Sequence, residues 1–409
     1  MARKPEWHVL TLVTLGLTAF GIVMVYSATS ASAAIGGANP TSYLEKQGTY
    51  ALLGLVGLLV VSRVDYRRLR ALAPALVLVA LGACAAVLVV AQPINGARRW
   101  INLGPGVFQP SELAKLALAV WVAAYFSRRN APRTLRELWR PAGALLVVFC
   151  GLILLEPDLG TTITLAVVVG VVLFASGTHA GTLLSGYALL MGAGLLVVLS
   201  KGYMRARLLS FVDPWHDAQV GGYQIVQAQI GLGSGGLFGD GLGQGVQKIH
   251  YLPEAHTDMI FAVIGEELGL IGATVVILAY AAFTWAGMKV ALESKDPFGK
   301  RLAAGLTALV CCQAGINLAA VLGLAPLTGI PLPFVSYGGS SLVIELLSVG
   351  ILLNIAGSGG RVAAQVPDRS RRHGGSRPAG ARGRGRAPQP RRAGDVRRVA
   401  GSRRGAARS

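Results

Sequence analysis

Long apolar runs separated by short polar ones fill the first 357 residues of this chain. Ten of them approach or reach the roughly 17 to 25 residues that a helix needs to cross a bilayer. They lie at about 9–28, 47–62, 71–91, 110–126, 141–156, 159–176, 181–200, 258–287, 302–323 and 341–357. The second and fifth are short, and Pro157-Asp158 alone separates the fifth from the sixth. The pattern predicts an all-α polytopic membrane protein with about ten transmembrane helices.

The pattern breaks once at length. From about 200 to 257 the chain becomes a large polar loop with Gly, Trp, Tyr, Gln and both signs of charge. It hands over to the eighth span through Lys248 to Gly269, KIHYLPEAHTDMIFAVIGEELG, where Asp258, Glu266 and Glu267 meet an apolar run. Acids at a membrane entry are costly unless something uses or pairs them. The alternative for Thr257 or Asp258 is a helix cap, accepting free N–H groups of the first turn.

Composition agrees with a membrane protein: 53% hydrophobic and 14% charged residues, with a mean hydropathy of +0.55. The net charge of +19 suggests nucleic acid until it is located. From Arg361 on, fifteen arginines face two acids, Asp368 and Asp395, so thirteen of the nineteen net charges lie there. Residues 358–409 have almost nothing to bury and are expected to form a basic disordered tail. Without interleaved aromatics to stack bases, acidic protein segments or anionic lipid are its expected partners, not nucleic acid. Cys84, Cys150, Cys311 and Cys312 sit in apolar runs and read as buried hydrophobes. The first run, Val9 to Tyr26, lacks a convincing small-residue cleavage site and is expected to be a retained helix.

Basic residues set the orientation. With the N-terminus inside, three short inner loops carry Arg63, Arg67, Arg68 and Arg70; then Arg128, Arg129, Arg133, Arg136 and Arg140; then Lys289, Lys295, Lys300 and Arg301. Both termini are then cytoplasmic. Arg98, Arg99, Lys201, Arg205, Arg207 and Lys248 fall outside, and Lys115 falls inside the fourth span. Cations against the bias point to an anionic substrate, although outer loops also carry some by chance.

The other outer segments are turn-like. Arg98 to Lys115, RRWINLGPGVFQPSELAK, suits an interfacial or re-entrant turn, with Ser111 as the expected cap of the fourth span. Glu112 and Lys115 are three residues apart on one helix face and can pair. In EPDLGTT, Pro157 ends one helix and Asp158 can cap the next. The glycine run 231–245 lacks a following Gly-Lys-Ser/Thr, which rejects a nucleotide loop; close backbone approach to a bulky ligand or partner is expected instead. The prolines of Pro326 to Ser341 predict a compact re-entrant loop.

These segments together resemble the SEDS family, the FtsW, RodA and SpoVE group. LPEAHTD at 252–258 and FAVIGEELG at 261–269 are similar to its hallmark. MVYSA at 24–28, RRWINLG at 98–104, PSELAK at 110–115 and EPDLGTT at 156–162 follow in order. So do DPW at 213–215, GYQ at 222–224, GSGG at 233–236 and LPFVSYGGSS at 332–341. The resemblance covers about residues 9 to 357, and PEAHTD, VDPW and the full last motif are closer to the division than to the elongation members. Met259 departs from a frequent phenylalanine.

The resemblance implies a peptidoglycan glycosyltransferase that polymerises lipid II at the outer face of the cytoplasmic membrane. Its partners would be a class B penicillin-binding protein and other division proteins. The catalytic aspartate maps onto Asp258, and the polar groove residues onto Arg99, Glu112 and Lys115; Glu254 and His256 share the motif with Asp258. The chemistry fits, since glycosyl transfer from a lipid pyrophosphate needs a base for the acceptor hydroxyl and cations for the leaving phosphates. Arg99, Lys115, Arg205 and Arg207 are the pyrophosphate candidates. A divalent cation, Mg2+ or Mn2+, could share the task, although no ligand cluster demands one. The alternatives are a lipid II flippase, an elongation-type polymerase and a division scaffold. A flippase should show paired interrupted helices near the midplane and internal repeats, and no convincing inverted repeat is visible.

Overall fold

A computed structural model describes residues 4–36, 39–93, 97–102, 104, 106–200, 202–216, 222–249 and 251–364. Lys201 and the arginine-rich segment beyond 364 lie outside the described residues. Every predicted apolar run is helical. The helices are α1 (Pro5–Ile35), α2 (Ser42–Arg63), α3 (Leu69–Val90), α4 (Pro110–Phe126), α5 (Leu135–Leu138), α6 (Ala144–Leu155) and α7 (Leu159–Ala175). They continue with α8 (Ala180–Ser200), α9 (Gly202–Val212), α10 (Tyr223–Ser234), α11 (Ile260–Glu293), α12 (Pro297–Val321) and α13 (Gly339–Ala364).

The chain is a polytopic helical membrane protein. Among the described residues eight helices are long and apolar enough to cross a bilayer, by length and composition. The two runs that read as short lengthen by taking in polar flanks: α2 starts at Ser42, and α5 and α6 join across Trp139–Gly143 into one span from Leu135 to Leu155. The short members are instead α4 and α7, at 17 residues each.

Helix α4 occupies the middle, packed by α3, α7, α12 and α13. Ala114, Ala117, Ala119 and Ala123 are fully enclosed along it, and small residues of this kind let neighbouring helices approach closely. Outward faces carry exposed Leu78, Leu184 and Leu196, as contact with hydrocarbon requires. Helix α8 stands at the rim with its apolar stretch almost wholly exposed, whereas that of α12 is mostly buried.

The caps follow local chemistry. Asp158 accepts from Thr161 N–H at 3.0 Å and starts α7 as expected. Ser111 does not cap α4. Gln109 holds that position without a side-chain bond, Pro110 begins the helix, and the Ser111 hydroxyl instead accepts from Gln109 Nε2 at 3.0 Å. The preceding segment is more ordered than a turn, because Ile101–Asn102 (β1) pairs antiparallel with Val107–Phe108 (β2). The polar loop is not loop throughout, since it contains α9 and α10. Residues 322–338 are irregular, with Leu332, Phe334 and Val335 buried, as the prolines demand.

Helix α11 carries the decisive irregularity. Gly269 has φ 65° and ψ −165°, a conformation that favours glycine and breaks the helical ladder. The glycine run of the polar loop packs there. Leu270 N–H donates to Gly236 O at 2.9 Å and Ile271 N–H to Leu237 O, while Asp240 and Gly241 N–H donate to the carbonyls of Glu266 and Glu267 at 3.0 Å each. A Cβ on Gly239 would stand 2.2 Å from Glu267 O. Gly239 thus approaches the chain's own helix closely, and the loop satisfies the groups that the kink exposes.

Candidate functional site

The three acids at the start of α11 have three different fates. Glu267 is fully buried, ion-paired to Lys248 at 2.5 Å and hydrogen-bonded by the Ser27 hydroxyl at 2.7 Å. Glu266 accepts Val246 N–H at 2.7 Å and Gln247 N–H at 3.1 Å. Both therefore lash the polar loop to α11. Lys248, expected among the cations for an anionic substrate, is spent in this buried pair.

Asp258 is left with little structural work. The helix cap is Met259 and receives no side-chain bond, so Asp258 does not cap α11. Among the described residues its carboxylate accepts a long side-chain bond from the Thr257 hydroxyl at 3.3 Å, and its own backbone N–H lies close enough to favour its charge. Its backbone, by contrast, is held firmly. Asn317 of α12 donates to Asp258 O at 2.7 Å and to Ile330 O at 2.8 Å, joining the acid to the irregular segment before α13. Burial pushes the Asp258 carboxyl up to about 6, the charge of Glu254 adds to this, and the Arg207 guanidinium opposes it.

The neighbours complete the picture. Glu254 adopts φ 55°, rare for a residue with a side chain, and accepts from the Thr257 hydroxyl at 2.9 Å. His256 packs edge-on against Tyr43 at 4.8 Å and lies 5.6 Å from Tyr337, and its carbonyl accepts Tyr337 N–H at 2.9 Å. Burial lowers the pKa of its imidazole, against the pull of Glu254. Arg207 of α9 donates to Leu327 O at 3.3 Å. Arg205 is exposed and, two residues away, lies on another side of that helix.

A second charged group lies in the bundle. Lys115 and Glu112 pair at 2.8 Å, both buried, and Glu345 of α13 is close enough to feel both charges. Glu345 also accepts from Ser341 at 2.9 Å and from Phe334 N–H at 3.0 Å. Arg99 donates to Glu156 O at 2.9 Å and also to Pro157 O, strapping the turn between α6 and α7. Glu156 is buried there with neither carboxylate oxygen hydrogen-bonded. Burial and the neighbouring Asp158 push it up to about 8 against the opposing Arg99.

The family model described as Cell cycle protein, named for FtsW, RodA and SpoVE, matches residues 7–359. The chain belongs to the FtsW/RodA/SpoVE family. It is 42% identical over 351 residues to the probable peptidoglycan glycosyltransferase FtsW of Trichlorobacter lovleyi, covering 85% of this chain and 92% of that one. To the stage V sporulation protein E of Bacillus subtilis it is 36% identical over 355 residues, covering 85% and 96%. The rod shape determining protein RodA of Thermus thermophilus is similar at a TM-score of 0.64 and 30% identity, over 88% of this chain and 98% of that one. A chain from a peptidoglycan synthase complex, described as coordinating polymerization and crosslinking, is similar at a TM-score of 0.68 and 30% identity, over 88% and 99%.

Within this family framework the structure gathers the candidates into two groups rather than one. The charges of Arg207 and Glu254 reach Asp258, and His256 sits two residues before it in an aromatic cluster. Arg99 and the Glu112–Lys115 pair are engaged at the α6–α7 turn and inside the bundle. Asn317, Gln313 and Glu345 went unnoticed in the sequence. They carried a signal, since polar residues within an apolar span tend to face the bundle interior. No group of three or more His, Cys, Asp or Glu able to hold a metal ion occurs among the described residues.

Proposed function

We propose that this chain is a peptidoglycan glycosyltransferase that polymerises lipid II at the outer face of the cytoplasmic membrane during cell division, with Asp258 as general base. The carrying observation is the contrast among the three acids. Glu266 and Glu267 are consumed by the fold, while Asp258 keeps a nearly unengaged carboxylate on a rigidly held backbone. A carboxyl raised to about 6 is ionised at neutral pH yet basic enough to accept a proton.

In this reading Asp258 takes the proton of the acceptor sugar hydroxyl as its oxygen attacks the anomeric carbon of the donor. The new glycosidic bond forms as the bond from that carbon to the lipid pyrophosphate breaks, and the electron pair leaves with the pyrophosphate. Arg207 is the cation best placed to meet the developing charge, because its field already reaches Asp258. Arg99, Lys115 with Glu112, and Arg205 rank behind it as contacts for the phosphates and sugars, their present partners being protein or solvent. Glu254 and His256 shape the approach to Asp258.

Cytoplasmic termini, a septal location and a class B penicillin-binding protein as partner complete the proposal. The basic inner loops support the orientation, and the similarity to a chain from a peptidoglycan synthase complex supports a crosslinking partner. The test is polymerisation of purified lipid II by the detergent-solubilised protein, with and without a co-expressed transpeptidase. Glycan strands formed without a sealed bilayer support the enzyme. A protein that moves lipid II across vesicles but never joins sugars is the flippase instead.

A further inference from the structure

The basic end of the bundle holds a cavity that this reaction does not use. Between α3 and α4 a space of about 260 Å3 has Arg70 and Pro74 on one side. Trp121, Tyr125, Arg128 and Arg129 stand on the other. Three guanidinium groups line it and no carboxylate does. Nε of Arg70 is shut away from solvent without a hydrogen-bond partner, which is costly for a charged donor. Like charges gathered without a counter-ion also repel one another.

The acids at this end are engaged elsewhere. Asp65 accepts Arg67 N–H, Asp296 caps α12 and takes the Tyr66 hydroxyl, and Glu137 accepts Arg133 N–H. Arg129 is partly satisfied, donating to the Tyr125 hydroxyl at 2.7 Å and lying 4.7 Å over that ring. Trp121 and Tyr125 stack at 5.1 Å, placing two amphipathic rings where the apolar spans end, as at a headgroup boundary. Leu78, one turn beyond Pro74 on α3, is exposed and offers an apolar surface for an acyl chain.

We propose that this cavity binds the phosphoryl headgroup of an anionic phospholipid. Arginine forks match phosphate oxygens with paired donors, and basic pockets between membrane helices are a recurrent form of such sites. A free phosphate would offer the same oxygens, but the aromatic rings beside the arginines and the exposed Leu78 beyond Pro74 favour a group that continues into hydrocarbon. Because α4 carries Glu112 and Lys115 near its opposite end, a lipid held here would also fix the helix that positions them.

The test is thermal unfolding of the full-length protein in nanodiscs of phosphatidylcholine alone or with phosphatidylglycerol, together with lipid retention by native mass spectrometry. Phosphatidylglycerol should raise the wild-type midpoint, and the double variant Arg70→Gln, Arg128→Gln should lose most of that rise. Retention should weaken about fivefold for each arginine removed. Arg128→Gln alone, at an exposed position, guards against a folding defect and should show a partial loss. Arg133→Gln with Arg136→Gln removes equal charge from the same end outside the cavity and should keep the rise. Equal losses in the two double variants, or a full rise in the cavity variant, would overturn the site. A wild-type rise reproduced by inorganic phosphate in phosphatidylcholine discs would overturn the lipid assignment in favour of a soluble anion.

Discussion

Asn317 on α12 donates its side-chain amide to the main-chain carbonyl of Asp258 at 2.7 Å, and the same nitrogen donates to Ile330 O at 2.8 Å. One buried residue thus sets the position of the acid and of the irregular segment beside it. Asn317→Ala leaves both carbonyls without this donor, at a cost of about 1–3 kcal/mol for each that stays buried. It should lower polymerisation about tenfold or more while lipid II still binds, because misplacing a base costs rate before affinity. Comparing kcat with KM for purified lipid II checks this; a rise in KM alone would assign Asn317 to substrate binding.

The Lys248–Glu267 pair is a structural clasp. Removing one partner strands a charge in the interior, so Lys248→Met or Glu267→Gln should lower stability by about 3–5 kcal/mol. Replacing both with apolar residues of similar size, Lys248→Met with Glu267→Leu, should recover most of that loss. Denaturation midpoints of the single and double variants decide it. Additive losses would show that the two residues do not act as a pair.

Asp258 should cost the fold stability at neutral pH. Between its ordinary value of 3.8 and about 6, the folded chain keeps a proton that the unfolded chain has released. Stability therefore falls as pH rises across that window and is level above it. Asp258→Asn should remove this fall and make the protein more stable at pH 7 by about 1–3 kcal/mol. Unfolding midpoints of both proteins across that pH range give the sign directly.

Most of the fold could be read along the chain because span length and apolar runs are local properties. Asp258 stood out as the candidate base as well, from its place at a membrane lip and in a family motif. The separate fates of the three acids were not, because they depend on Lys248, Ser27 and the glycine run reaching α11 from far along the chain. Ser111 misled because a serine before an apolar run usually caps it, whereas here Pro110 has already begun the helix. Asn317 and Glu345 were visible as polar residues in apolar spans, but their partners lie on other elements, and pairing across the bundle has no local signature.

The central claim is that Asp258 serves as base rather than as support for the fold. Glycan polymerisation from purified lipid II by Asp258→Asn, beside wild type across pH 5 to 8, tests it most directly. The variant keeps the shape of the side chain, so it should express, fold and bind lipid II. Its rate should fall about a hundred- to ten-thousand-fold, and the wild-type rate should climb through about pH 6 to a plateau. A folded Asp258→Asn protein that polymerises within a few-fold of wild type, with the same pH profile, would contradict the account.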